Sequence, residues 1–472
     1  MKKNRTETPI TNHNDDISTE ALERSTLIVA TFTSFVTPFM ISAVNVAIPD
    51  IQATFHINAV LLSWISTAYL LATAVFLVPI GKASDIFGRK KVFIIGLLLF
   101  DLASLLCGLS PNIGLLLTFR VMQGAGAAMI VTTGMAILTS VFPVERRGRA
   151  IGYYVSAVYV GLSVGPTAGG ALTYHFGWRS IFYIIFPMGL ASVWITFRYL
   201  KKEWYGVIER KFDFLGSALY AASLVALIYG GSELPTGEAY MYMGAGAVFL
   251  VLFIIREKKI TYPVFEVDLF EKNRVFAFSS LAALINYAAT FAVTFMLSLY
   301  LQYVKGLNPQ SAGLILMFQP VFQAVFSPLA GRMSDKVEPR ILATTGMGLT
   351  AVSLLFFVFL KPATSIYLIS ANLAVLGIGF GIFSSPNMNA IMSSVEKKYF
   401  GVASGAVAAM RLLGQMLSMG IATVVFAVYM GTLSISEEHI DLLLKCNITV
   451  YTIFTSLCAI GVYFSLARGS LR

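Results

Sequence analysis

The chain has 472 residues, 57% of them hydrophobic and only 12% charged, against roughly 45–50% apolar and about 25% charged in soluble domains, so a water-soluble globular protein is excluded. Its net charge of +10 does not point to nucleic acid, because the basic residues lie in short loops between apolar runs and form no single basic face. Three cysteines (Cys107, Cys446, Cys458) and four histidines (His13, His56, His175, His439) are too scattered for a disulfide framework or a metal site.

Residues 1–25 are polar, and are expected to form a disordered cytoplasmic arm with no cleavable signal peptide. Apolar runs follow, each long enough at about 1.5 Å per residue to cross a hydrocarbon core of about 30 Å. The expected fold is all-α and polytopic, with fourteen transmembrane helices. Six, at about 26–48, 59–80, 92–109, 114–141, 150–174 and 181–199, form an N-terminal bundle over 26–199. A linker at 200–274 carries two inserted helices, at about 213–232 and 238–256. Six more, at about 275–303, 309–330, 340–360, 366–391, 401–430 and 447–467, form a C-terminal bundle within 275–472. With both termini inside, 28 of the 34 basic residues fall in cytoplasmic segments. Only Arg179, Lys305, Lys361 and Lys445 fall outside, and Arg120 and Arg411 lie within spans. The positive-inside rule therefore predicts a multi-pass protein of the cell membrane with both ends cytoplasmic.

The two six-helix groups carry an internal repeat. Gly81-Lys82-Ala83-Ser84-Asp85 after the second span recurs as Gly331-Arg332-Met333-Ser334-Asp335 after the tenth, an offset of 250. Gly148 to Gly152, leading into Gly161, recurs as Gly401 to Gly405, leading into Gly414, an offset of 253. Parallel repeats with a site at their interface are the architecture of a secondary transporter.

Three motifs bear on mechanism. In the turn Gly81 to Lys91, Gly81 and Gly88 permit backbone angles other residues avoid, and Asp85 and Arg89 stand one helical turn apart and can pair. In the fourth span, Arg120 with Gln123 is a charge that costs about 2.5–3.5 kcal/mol even on the lenient insertion scale. It should face the bundle interior or a wet cavity, unless it snorkels to phosphates. In the fifth span, Gly161, Gly165, Pro166, Gly169 and Gly170 mark a closely packed, bendable helix.

Together these motifs resemble the major facilitator superfamily, specifically its fourteen-helix drug:proton antiporter branch. Asn45 to Pro49 at the end of the first helix, Gly177-Trp178-Arg179 before the sixth, and Gly401 to Gly405 in the thirteenth extend the resemblance over about residues 26–465. It implies that Gly81, Asp85, Gly88, Arg89 and Asp335 belong to a cytoplasmic gate, with Asp85 facing the N-terminal end of the thirteenth helix. It also implies that Arg120 takes part in proton coupling, and that Gly165-Pro166 supplies the bend used in exchange. Two departures stand out. Ile86 replaces a basic residue of the loop signature, and Met40 replaces an intramembrane Asp found in many relatives.

Among the acids, Asp101 lies deep within a span, with Ser104 and Gly108 on the same face. It is read either as the proton-coupling group or as an acid satisfied by a neighbouring helix. Candidate pocket residues are Phe39, Met40, Asn45, Trp64, Tyr69, Gln123, Tyr159, Tyr287, Phe318, Gln319, Gln323, Asn387, Asn389 and Arg411, a mixture of aromatics, amides and soft Met suited to bulky lipophilic solutes. No phosphate-binding loop is present, so no ATPase activity or other cofactor is expected, and energy would come from the proton gradient. The expected function is proton-coupled export of amphiphilic drugs by alternating access. A symporter or exporter for one metabolite or lipid is the alternative, and an enzyme is not expected. A lipophilic small molecule, protons and the bilayer are the expected partners of a functional monomer with no nucleic-acid role.

Overall fold

The computed structural model describes residues 13–200, 202–206, 212–260, 263–265, 267–334, 336–395 and 400–469. Among the described residues, fourteen helices are long and apolar enough to span a membrane. They are α1 (Ala21–Phe55), α2 (Ala59–Phe87), α3 (Arg89–Leu109), α4 (Ile113–Val141), α5 (Ala150–Phe176), α6 (Arg179–Arg198), α7 (Phe214–Ser232) and α8 (Gly237–Glu257). The remainder are α9 (Arg274–Val304), α10 (Pro309–Ser334), α11 (Pro339–Val358), α12 (Ile366–Ser393), α13 (Gly405–Tyr429) and α14 (Glu437–Ala467). No strand occurs among the described residues. The face that carries both termini is called inner below.

The first helix is continuous from His13 to Phe55, so part of the N-terminal arm expected to be disordered is helical. No Pro or Gly interrupts residues 13–25, and Glu, Ala and Leu there are good helix formers. Several other starts are set by side-chain caps. Asn58, Asn112 and Asn308 accept from the amides of Leu61, Leu115 and Ser311 at 2.8–2.9 Å, satisfying donors that a helix start leaves bare.

The repeat read from sequence is built into the packing. In the first half α1 packs on α5, α2 and α3 on α4, and α3 on α6; in the second α9 packs on α13, α10 and α11 on α12, and α11 on α14. The closest approaches use paired glycines. A Cβ on Gly126 would lie 2.9 Å from the Gly96 carbonyl oxygen, and one on Gly346 would lie 2.6 Å from that of Gly379. A Cβ on Gly124 would meet the Tyr69 carbonyl at 2.4 Å, and one on Gly377 the Gln319 carbonyl at 2.2 Å. Each equivalence falls at the offset of 250 or 253 seen in the sequence. Such contacts are how helices associate where burial of apolar surface gives no drive.

The inserted hairpin α7–α8 packs through α7 onto α2 and α13, one helix from each half. The Tyr220 hydroxyl donates to the Ala74 carbonyl at 3.0 Å, the Tyr229 ring lies 6.4 Å from that of Trp64, and a Cβ on Gly420 would lie 2.6 Å from Ile228. Its inner ends are tied by Asp213, which accepts from the Gly216 amide at 3.0 Å and from Arg256 at 2.7–3.0 Å. Burial pushes the Asp213 carboxyl up, but the bonds from Arg256 and the amides of Gly216 and Leu215 outweigh it and hold the group below the usual carboxylate range. Its contribution is therefore present above the unfolded value of about 3.9 and lost as pH falls through the lower folded value. Asp213→Ala is expected to cost about 1–3 kcal/mol at pH 7 and much less at pH 3, measured by thermal unfolding in detergent.

Candidate substrate cavity and gates

A cavity lies between the two halves, walled by α1, α2, α4 and α5 on one side and α9, α10, α12 and α13 on the other. Its wall follows the repeat: Pro38 and Tyr287, Asn45 and Thr294, Tyr69 and Gln319, Thr73 and Gln323, and Leu162 and Gln415 are all lining pairs separated by 249–253 residues. Two helices break beside it. In α9 the regular turns stop at Thr290 and resume at Val293, and the Ala292 amide donates instead to the Ser418 hydroxyl of α13 at 2.9 Å. In α10 the break is at Met317, just before Pro320, whose missing N–H leaves a turn unclosed. Interrupted helices at a mid-membrane cavity expose polar backbone where a solute can use it.

Of the pocket candidates, Asn45, Tyr69, Tyr159, Tyr287, Gln319, Gln323 and Arg411 line this space. The other seven do not. Phe39 packs on the glycines of α5, and Met40 is fully buried in the apolar core. Trp64 turns to Tyr229 of the inserted hairpin. Gln123 is buried between Arg120 and Ser104, bonded to them at 2.6 and 2.7 Å. Phe318, 40% exposed, stacks along the outside of α10 on Phe322. Asn387 holds Arg468 at 2.9 Å, and Asn389 donates to Ser334 at 2.9 Å, near the inner face. Thr73, Thr290, Thr294 and Gln415 line the cavity and were missed; the repeat offset applied to Asn45 and Gln323 was the signal that points to Thr294 and Thr73.

Arg120 is fully buried. Its Nε donates to the Ile65 carbonyl at 2.9 Å, Nη1 donates to Gln123, and the guanidinium lies 4.4 Å from the centre of the Tyr69 ring. Nη2 has no partner, and no carboxylate pairs with it among the described residues. Arg120 thus faces the interior and does not snorkel. Asp101 is 3% exposed and stands against Gly189 of α6, with Oδ2 unpartnered, outside the cavity wall. Ser104, one turn along α3, accepts from Gln123 and donates to the Phe100 carbonyl.

On α5 the glycines form one close-packing face. Cβ atoms on Gly161, Gly165 and Gly169 would lie 2.4–2.6 Å from Phe35, Ser42 and Ala43 of α1, and one on Gly170 would lie 2.4 Å from the Pro309 carbonyl of α10. Pro166 removes the amide that would bond to Leu162, and the Ser42 hydroxyl donates to that carbonyl at 3.3 Å instead. A Cβ on Gly313 would sit 2.1 Å from the Pro166 carbonyl.

The outer side is closed by bonds between the halves: Gln302 to the Val46 carbonyl, Gln52 to the Ile435 carbonyl, Tyr303 to Gln52, Ser63 to Thr423, and the Ala59 amide to the Leu433 carbonyl, all at 2.9–3.0 Å. Towards the inner side the halves meet at Leu77, Ala409 and Leu412. Beyond that, a Cβ on Gly81, Gly152 or Gly405 would meet no atom within 4 Å. The halves are thus joined by hydrogen bonds on the outer side and by an apolar contact towards the inner one.

At the inner gate Arg89 pairs with Asp85 at 2.7 Å and donates to Ser140 of α4 at 2.6 Å. Asp335 lies outside the described residues. Asp85 was expected to face α13; it is covered by a strap at residues 202–206. The Gly206 amide donates to the Asp85 carbonyl at 3.0 Å, and a Cβ on Gly206 would lie 2.2 Å from the Asp85 carboxyl carbon. Glu203 accepts from the amides of Lys90 and Lys91 at 2.7 and 3.1 Å, capping α3 with a negative charge. Gly88, at φ 109°, makes room, since its Cβ would lie 2.7 Å from the Glu203 carboxyl. Glu203→Ala is expected to cost about 1 kcal/mol locally and to speed hydrogen exchange of the Lys90 and Lys91 amides about fivefold.

Two halves related by a repeat, broken helices and a mid-membrane cavity define a secondary transporter. The model of the Major Facilitator Superfamily matches residues 30–419 and 279–467, and the chain belongs to that family. It is 30% identical over 90% of its length to the riboflavin transporter RibZ of Clostridioides difficile, covering 93% of that protein. It is also 30% identical to the multidrug resistance protein Stp of Mycobacterium tuberculosis, over 84% of this chain and 74% of that one. Identity to the methylenomycin A resistance protein of Streptomyces coelicolor is again 30%, over 83% of each. A bacterial homologue of the lysosomal transporter Spinster, solved inward-facing and unoccupied, shares the fold at TM-score 0.68 and 16% identity, over 96% of this chain and 97% of that one.

Proposed function

We propose that the protein is a proton-coupled exporter of amphiphilic small molecules in the cell membrane, with both termini cytoplasmic, working as a monomer by alternating access. The observation that carries this reading is the cavity lined by repeat-equivalent positions of both halves, beneath a hydrogen-bonded outer seam. The resistance proteins among its relatives support export. Asp101, buried with a bare oxygen on the same helix as Ser104, is the proton-carrying group of this reading.

The test is movement of fluorescent amphiphiles in proteoliposomes under an imposed pH gradient. Gradient-driven movement lost in Asp101→Asn is expected; movement indifferent to the gradient would overturn proton coupling. A specific-metabolite transporter is the second reading, favoured by the amide-rich cavity and by the similarity to a riboflavin transporter. Riboflavin movement with no dye movement would select it. For orientation, a cysteine at Ser365 should be labelled from outside intact cells and one at Ser84 should not.

A further inference from the structure

We propose that the cavity is built for solutes carrying a negative charge beside an aromatic body, with Arg411 as the anchor for the anionic group. This deepens the substrate-cavity reading above and rests on it. Arg411 lines the cavity, is neither fully buried nor exposed, and has no hydrogen bond or ion pair with a described residue. A second guanidinium, Arg120, stands behind the Tyr69 wall, also without a counter-ion among the described residues. No Asp, Glu, Lys or His is among the lining residues. Two uncompensated cations beside one low-dielectric space give it a positive potential, which draws anions in and turns cations away.

The charge is not a packing requirement of the fold. Arg411 sits at the offset of 253 from Val158, which lines the same cavity in the first half, so that position is served by an apolar side chain in one half and by a guanidinium in the other. A carboxylate, sulfonate or phosphate matches the planar guanidinium fork with two parallel hydrogen bonds. Tyr287, within electrostatic reach of Arg411, and Phe380, whose ring lies 5.3 Å from that of Tyr287 at 69°, form an aromatic wall beside it. The anchor also ties loading to closure. While the cavity is open, water solvates Arg411. Closing it empty, or over a cation, strands an unpaired charge, whereas an anion supplies the partner.

The test is binding in detergent, with no gradient, of three probes of one shape: 1-pyrenebutyrate, 1-pyrenebutanol and 1-pyrenebutylammonium, followed by pyrene fluorescence. The butyrate is expected to bind about tenfold more tightly than the ammonium. Arg411→Gln should bring the two within about threefold of each other, and Arg411→Lys should keep the order. Equal or tighter binding of the ammonium to the native protein overturns the proposal whether or not either variant folds. So does an unchanged preference in an Arg411→Gln protein whose thermal unfolding is native. If the anion binds through Arg411 but no pH gradient moves any amphiphile, the exporter reading fails and the anchor stands. Gradient-driven export of the ammonium alone supports the exporter and overturns the anchor.

Discussion

Arg120→Met is expected to cripple transport while leaving thermal stability nearly unchanged. The side chain is one of the two largest fully buried among the described residues, with Arg468, and its charge has no counter-ion among them. Taking such a group out of water is a cost that two bonds, to Ile65 and Gln123, and the Tyr69 ring only partly offset. An unbranched apolar residue of similar length removes that cost, although it leaves the Gln123 amide oxygen without its donor. The two effects are of similar size, so the unfolding midpoint should fall by no more than about 2 °C. Initial transport rates should fall more than about tenfold, because a charge kept inside a span at this cost is kept for function. Arg120→Lys should fail in the same way, since an ammonium has no fork to hold Ile65 and Gln123 while lying over Tyr69. Native transport by Arg120→Met, or its wholesale unfolding, would contradict this account.

The second large effect is expected at the outer seam. Gly313 and Pro166 bring α10 and α5 together backbone to backbone, and a Cβ at 2.1 Å from a carbonyl oxygen cannot be accommodated by turning a side chain. Gly313→Val therefore strains the outer-closed arrangement by about 1–3 kcal/mol, which shifts the balance towards an outward-open state by roughly fivefold to a hundredfold. Thr294→Cys, in the cavity wall, reports the change, since the three native cysteines are buried. With Gly313 intact, an impermeant maleimide should reach it from the inner side alone. With Gly313→Val, labelling from outside should rise at least fivefold. Gly244→Val, where a Cβ meets nothing within 4 Å, should leave the pattern alone.

The spans and the repeat were legible in the sequence because a bilayer punishes every misplaced charge and because glycines are needed wherever helix backbones touch. Arg120 stood out for the same reason: nothing else explains a guanidinium in the first third of a span. Which aromatics face the cavity was not legible. The rotation of α1 is decided by its contacts with α5, which turn Phe39 and Met40 away and bring Asn45 in, and no local pattern in α1 encodes that choice. Polarity alone grouped Asn387 and Asn389 with the pocket, although they serve contacts near the inner face. Arg468 carries no local signal of its role; it is 1% exposed and donates to Asn387 and to Ser279. Glu203 gave little signal beyond being an acid in a basic linker, because its partners are backbone amides more than a hundred residues away.

The seat of the inserted hairpin has a consequence for traffic within the bilayer plane. The two halves meet sideways along two seams, α2 against α13 and α5 against α10, and α7 lies across the first, touching both of its helices. One seam is therefore shuttered from the lipid side by a helix that belongs to neither half. The hairpin thus makes the two flanks of the protein unequal, a difference that its internal symmetry would not suggest.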